Sequence, residues 1–142
     1  MRQPKIVIDT NVLISALRSK RGAAYLLFML IGKGKFELNI SVPLVLEYED
    51  VAKRLIREIP LSEHDIDAIL NYLCKEGKHR KIYYLWRPFL KDPNDDMILE
   101  LAVTAGCDFI VTYNEKDFGG VDQFGIKVLN PGQFLRKIGE LK

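Results

Sequence analysis

The chain is 142 residues long, 48% apolar and 28% charged, and its 21 Lys and Arg against 19 Asp and Glu leave a net charge of +2. One domain with a real core fits that length and composition, and the mildly basic balance neither marks nor opposes a nucleic-acid partner. The longest apolar run, Ala23–Ile31, is too short to span a bilayer, and the solitary Cys74 and Cys107, with no CxxC and no His cluster, argue against a disulfide framework or a zinc site.

The opening MRQPK lacks a signal-peptide layout and leads straight into a strand, so the cytoplasm is the expected compartment. Lys5–Asp9 is short and rich in Ile and Val, the pattern of a parallel strand buried on both faces. Thr10 or Asn11 is placed to cap a helix running through Leu17. RSKRG is a basic turn, Ala23–Ile31 an apolar helix and GKGK its stop. Phe36–Ile40 reads as a second strand. Ser41 and Pro43 open a helix that runs to about Leu55. Ser62 with Asp65 makes a capping-box pair heading a helix that ends near Glu76–Gly77. Ile82–Leu85 reads as a short third strand. Asp92-Pro93-Asn94-Asp95 combines a cap, a proline in the first turn and an acid behind it, and the helix it starts ends at Ala105–Gly106. Phe109–Thr112 and Ile126–Leu129 are two further strands, and Gly132–Ile138 closes the chain as a helix. Strands alternating with helices predict an α/β fold around a mainly parallel sheet, in one domain over residues 1–142.

Sites in such a sheet form outside the carboxyl ends of the strands. Asp9 ends the first strand, in IVIDTNVLIS, where an apolar run stops on a carboxylate. Burying that group unpaired costs several kcal/mol or shifts its pKa, so it calls for an exposed strand end or a cation. Thr112 and Asn114 end the fourth strand, and the first turn of the helix that begins at Asp92 can face the same edge. The candidate acids are Asp9, Glu47, Asp92, Asp95, Asp96 and Asp117. Carboxylates clustered at one edge repel one another and need a divalent cation, and an all-oxygen set prefers Mg²⁺ or Mn²⁺ to zinc. Two such ions roughly 4 Å apart can activate a water and stabilise the leaving oxygen in phosphodiester hydrolysis.

Each acid also has a plainer reading. Asp9 and Asp117 can close turns, Asp92 can cap, and Asp95 and Asp96 suit the positive end of a helix dipole. Glu47 and Glu49 flank the apolar face Leu44, Val45, Tyr48, Val51, Ala52 and Leu55 on opposite sides, and periodicity does not choose between them. His64 and His79 read as single and exposed; Cys107, Tyr25, Phe28 and Phe36 read as core. KEGKHRKIYYLWR (75–87) interleaves basic and aromatic residues, which suits either a nucleic-acid contact or a solvated loop with aromatics packed inward. Arg18, Lys20 and Arg21 follow the first helix and are phosphate-contact candidates if they lie near the Asp9 edge.

Four segments in this order, VIDTNVLISAL (7–17), SVPLVLEYEDV (41–51), KDPNDDMILELA (91–102) and FIVTYNEKDF (109–118), resemble the PIN domain, in particular the toxin branch related to VapC ribonucleases. The likeness continues into KVLNPGQF (127–134). It implies a three-layer α/β/α sandwich with a central parallel sheet and Mg²⁺- or Mn²⁺-dependent hydrolysis of RNA. Position by position, Asp9, Glu47 and Asp95 fall on the acids that hold the metal and carry catalysis, which favours Glu47 over Glu49. The water they activate would attack in line and expel the 3′ oxygen. Asp96 and Asp92 fall beside the third acid, and Asn11 and Thr112 fall on the small polar residues that support the site.

The chain departs from the family at Asn114, where members often carry Asp in a VTGD-like segment that here reads VTYN. The loss weakens a second metal site, and Asp117 is the carboxylate able to replace it. The likeness further implies an RNA substrate, a small antitoxin and a homodimer, with the helices at 23–31 and 62–73 as candidate dimer surfaces, and no membrane partner. A phosphatase of the haloacid-dehalogenase type would need DxD, and position 11 is Asn. The remaining alternative is a non-catalytic RNA- or protein-binding module with a degenerate site, which Asn114 favours and the three acids oppose.

Overall fold

The computed structural model describes residues 3–82 and 89–142. Strands β1 (Lys5–Ile8), β2 (Glu37–Ile40), β3 (Lys78–His79), β4 (Phe109–Val111) and β5 (Lys127–Leu129) form one parallel sheet in the order β3-β2-β1-β4-β5. Helices α1 (Thr10–Arg18), α2 (Ala23–Met29), α3 (Val42–Arg54), α4 (Glu63–Glu76), α5 (Pro93–Ala105) and α6 (Pro131–Lys137) connect and flank it. Successive strand residues point to opposite faces, and every residue of Ile6–Ile8 and Phe109–Val111 is buried, so helices cover the sheet on both sides. This is the α/β fold with a parallel sheet that the strand–helix alternation predicts, in the three-layer α/β/α form that the family resemblance implies.

Strand order fixes where a site can form. The chain leaves β1 on one side for β2 and β3, then returns to its other side for β4 and β5. β1 pairs with β4 in the register Ile6↔Phe109, Val7↔Ile110, Ile8↔Val111. The order therefore reverses between β1 and β4, and the crevice at their carboxyl ends is the switch point where α/β sheets take ligands. Residue 9 and residue 112 are the first beyond those two ends.

Helix boundaries follow their caps. Ser41 accepts from Leu44 N–H at the head of α3, and Ser62 and Asp65 close a full capping box on α4. Gly106 adopts the left-handed conformation (φ 66°) that stops α5, and Cys107 N–H reaches back to the Ala102 carbonyl at 2.8 Å. Two boundaries differ from expectation. Asp9, rather than Thr10 or Asn11, caps α1. α6 starts at Pro131, before the expected Gly132, because Asn130 and Gln133 form a second capping box around a proline at the first helical position.

The third strand also differs. It lies at Lys78–His79 instead of Ile82–Leu85; Ile82 is outside any strand, and residues 83–85 lie outside the described residues. β3 is a two-residue exposed edge strand with no apolar alternation to announce it. Polar partners fix it: Arg80 N–H donates to the Ile40 carbonyl at 2.9 Å, and Arg80 Nε to Oδ1 of the buried Asn39 at 2.9 Å.

In the core, the Phe134 ring meets Phe36 edge-on at 5.6 Å and Phe109 at 5.5 Å, so α6 is clamped against the sheet by aromatic packing. No helix among the described residues is long and apolar enough to cross a membrane. Phe134 is fully buried. Phe134→Ala is expected to lower unfolding free energy by about 3–5 kcal/mol, read as an earlier urea midpoint at unchanged slope; a midpoint within error of wild type would show that α6 is not part of the cooperative core.

Candidate active site at the β1/β4 switch point

Asp9 is 8% exposed and lies where β1 hands over to α1. Its backbone N–H still donates to the Val111 carbonyl of β4 at 2.9 Å, so the residue is registered on the sheet while its side chain caps the helix. Oδ1 accepts from Thr10 N–H at 2.7 Å; Oδ2 accepts from Thr112 Oγ1 at 2.7 Å and from Asn11 Nδ2 at 3.3 Å. Thr112 is fully buried, and its hydroxyl oxygen also accepts from Asn11 Nδ2 at 3.3 Å and from Asn114 N–H at 3.0 Å. Asn11 Oδ1 in turn accepts from Tyr113 N–H at 3.2 Å. Asp9, Asn11, Thr112 and Asn114 thus form one hydrogen-bonded network across the switch point. Beneath it, the fully buried Tyr48 of α3 donates its hydroxyl to the Ile8 carbonyl, tying α3 to the strand one residue before Asp9.

The other acids approach by charge. Burial is the main cause that pushes the Asp95 carboxyl up to about 7, followed by the charges of Asp9, Asp92, Asp117 and Asp96. Asp9 is raised by burial against the lowering hydrogen bonds of Thr112 and Thr10, with Asp117 and Asp92 adding repulsion. Glu47 is raised by burial, then by Asp50, with Arg54 opposing and Asp9 and Asp92 contributing. Glu47 is therefore within electrostatic reach of Asp9. Glu49 turns the other way, to Lys53, which also meets Glu63 at 3.7 Å and Asp67 at 2.9 Å and so pins α3 to α4. The two glutamates do lie on opposite sides of the helix.

Several residues have structural duties as well. Asp92 caps α5 through Asn94 N–H at 2.8 Å, yet its charge reaches Asp9, Glu47 and Asp95. Asp96 Oδ1 accepts from Phe89 N–H at 3.2 Å and Leu90 N–H at 2.9 Å, so it anchors the incoming chain. Asp117 is exposed, and its N–H donates to the Asn114 carbonyl at 3.0 Å. Arg18 and Lys20 do not join this edge: α1 rises roughly 1.5 Å per residue, which carries Arg18 about 13 Å from Asp9, and the exposed Arg21 follows in the same turn, its N–H on Ser19 Oγ. Arg18 pairs there with Glu58 at 3.2 Å. Arg18 and Lys20 line a largely apolar groove of 720 Å³ between α1, α2 and α4 that contains no acid. Tyr25 and Phe28, expected in the core, are half-buried walls of that groove, whereas Phe36 and Cys107 are core residues as read. His64 and His79 are exposed.

The donor set at the edge is all oxygen and net negative, which fits a hard divalent cation in type and charge. Among the described residues, no group of three or more His, Cys, Asp or Glu side chains converges closely enough to enclose one. Asp9 is the fixed member, held on both oxygens; Glu47 and Asp95 are half-buried members linked to it by repulsion. A carboxylate offers about four acceptor sites, so the bonds to Thr10, Thr112 and Asn11 leave Asp9 capacity for a cation.

Raised acid pKa values carry a stability consequence. Below the unfolded value of 3.8 the Asp95 contribution is most favourable, and it is lost as pH rises to about 7, because the folded chain keeps a proton that the unfolded chain has released. In EDTA, Asp95→Asn is expected to raise the melting temperature at pH values above about 7 and to gain little near pH 4. Thermal melts at both pH values check this, and an equal change at each would rule out titration as the cause.

A family model described as "PIN domain" matches residues 5–116. No curated protein matches the sequence. Among solved structures, VapBC2 from Rickettsia felis bound to a DNA fragment from its promoter is similar at a TM-score of 0.61, with 14% identity over 87% of this chain and 98% of that one. VapBC-1 from nontypeable Haemophilus influenzae is similar at a TM-score of 0.61, with 15% identity over 90% of this chain and 98% of the other. At such identities the likeness speaks for the fold, and it agrees with the sheet order and helix layers described above. The match over residues 5–116 covers most of the chain, which belongs to the PIN-domain family.

Proposed function

We propose that this chain is a cytoplasmic Mg²⁺- or Mn²⁺-dependent endoribonuclease, one nuclease domain over residues 1–142, acting as the toxin of a toxin–antitoxin pair. The observation that carries the reading is the position of Asp9: a buried carboxylate at the β1/β4 switch point, held by Thr112 and Thr10, with Glu47 and Asp95 raised first by burial and further by charges that include its own. PIN domains are generally nucleases and typically depend on divalent metal.

In this reading Asp9, Glu47 and Asp95 are the catalytic acids and the metal ligands. Bound there, a divalent cation supplies activation of water and charge stabilisation of the leaving oxygen. The chain supplies the rest. Thr112, Asn11 and Thr10 N–H bond to Asp9 and fix its orientation, and the bonds from Thr112 and Thr10 oppose the burial that raises its pKa. Without the cation, burial and the neighbouring acids push the Asp95 carboxyl up to about 7, and a cation bound there would favour its ionised form. Asp92 and Asp117 add negative charge that favours a cation over an anion at this edge. In-line attack by water on the phosphodiester would expel the 3′ oxygen and leave a 5′-phosphate.

For partners, the VapBC neighbours support a cognate antitoxin. The apolar groove between α1, α2 and α4 offers a surface for an antitoxin helix or for the partner of a homodimer. The second reading, a binding module with a degenerate site, is favoured by Asn114 and by the lack of a closed acid set among the described residues.

Purified protein is expected to cut single-stranded RNA with Mn²⁺ or Mg²⁺, to lose the activity in EDTA, and to lose it in Asp9→Asn. Cleavage that survives Asp9→Asn would falsify the site assignment, and RNA binding with no cleavage under either metal would favour the binding module. Thr112→Val removes the hydroxyl that donates to Asp9 and is expected to cost about 10–100-fold in activity, as loss of an outer partner of a metal ligand does. Activity within twofold of wild type would show that Asp9 is oriented by other bonds.

A further inference from the structure

Tyr113 follows Thr112 directly and leaves 46% of its surface in water. An isolated exposed aromatic needs no explanation; a ring with its backbone fixed on both sides beside an acidic site does. Tyr113 N–H donates to Asn11 Oδ1 at 3.2 Å, and the next amide, Asn114 N–H, donates to Thr112 Oγ1 at 3.0 Å. Those acceptors belong to Asn11 and Thr112, which also donate to Asp9 Oδ2. The ring therefore projects from the same network that holds Asp9.

Next to it lies an open cleft of 520 Å³ lined by Tyr113, Asn114, Glu115, Lys116, Asp117 and Asn130. Its walls combine one aromatic face, two side-chain amides, one ammonium and two carboxylates. A flat, uncharged group with donors and acceptors on its rim suits the aromatic face and the amides. The carboxylates repel a bare phosphate from the centre of the cleft, and Lys116 is the cation in its lining.

We propose that this cleft is a nucleotide subsite, in which an unpaired base next to the scissile phosphodiester stacks on Tyr113 while Lys116 meets its phosphate. The inference deepens the ribonuclease reading and rests on it. A base inside a duplex cannot present its face to a protein ring, so the subsite selects single-stranded RNA. Base–aromatic stacking tolerates every base, so Tyr113 sets register and strand state, and the Asn114 amide and Asn130 Nδ2, whose Oδ1 caps α6, are the groups able to read the base edge.

The test is fluorescence titration in Ca²⁺ buffer, using single-stranded RNA that carries a fluorescent purine analogue at each position in turn. Wild type is expected to quench the analogue at one position. Tyr113→Phe should keep both quench and affinity. Tyr113→Leu should lose the quench and bind about tenfold more weakly, the size expected for one stacked base. Lys116→Ala should weaken binding while keeping the quench at saturation. A matching thermal melt for Tyr113→Leu excludes misfolding, since the ring is exposed.

Binding without quench in wild type, no binding by wild type, or wild-type affinity and quench in Tyr113→Leu would each overturn the subsite. Cleavage under Mn²⁺ is scored separately. Position-specific quench with no cleavage keeps the subsite and sinks the nuclease reading; cleavage with no quench does the reverse.

Discussion

The hydrogen bond from Thr112 Oγ1 to Asp9 Oδ2, 2.7 Å long, is the contact on which the arrangement of this edge depends. It crosses from the end of β4 to the end of β1, the two strands between which the sheet order reverses. Burial works against an ionised Asp9, and bonds from Thr112 and from Thr10 N–H work for it. The same carboxylate caps α1, and its own amide completes the β1/β4 ladder. One side chain therefore sets the strand end, the helix start and the orientation of a charged group facing the crevice.

Around that fixed point the fold keeps an unfavourable arrangement. Asp9, Glu47 and Asp95 are all raised first by burial and then by nearby acids, with Asp9 acting on the other two and Asp92 acting on all three, so ionising them in the folded chain is unfavourable. It persists because each acid sits on an element whose position is decided elsewhere. Ser41, the Tyr48 hydroxyl and the Lys53 cluster hold α3, while Asp92, Pro93 and Gly106 set the ends of α5. A cation bound only by the folded state would offset the repulsion and add stability by mass action. Stability given up at a site and recovered on binding is a common cost of function.

Much of the fold was legible because period and caps are local properties. The Ile/Val run of β1, the Ser62–Asp65 box and Asp92–Pro93 each declare themselves within a few residues. β3 was not legible: an exposed two-residue edge strand held by Arg80 and Asn39 has no hydrophobic period. Asp9 as a helix cap was missed because Thr10 and Asn11 are equally good capping types, and only the strand register shows that the chain turns one residue earlier. Of the site, Asp9 could be found from its place after an apolar run, but the choice of Glu47 over Glu49 could not. It depends on which side of α3 faces α5 and which faces α4, a tertiary fact that periodicity leaves open and on which the family likeness favours Glu47. Tyr113 gave no signal at all, since its standing comes from two hydrogen bonds made by residues 102 positions away and next door.

Asn114 is the sharpest departure from the family pattern, and the structure limits what that departure changes. What Asn114 gives the end of β4 is its backbone N–H, donated to Thr112 Oγ1, and its carbonyl, which accepts from Asp117 N–H. Neither bond depends on the side chain, so Asn or Asp at this position leaves the turn, and therefore Thr112 and Asp9, where they are. The turn brings Asp117 close enough for its charge to raise both Asp9 and Asp95. The substitution therefore removes one charge from the tip of the loop while the backbone it forms delivers another three residues on. On the nuclease reading proposed above, such a change would bear on how tightly a second cation is held more than on whether the first acid is in place.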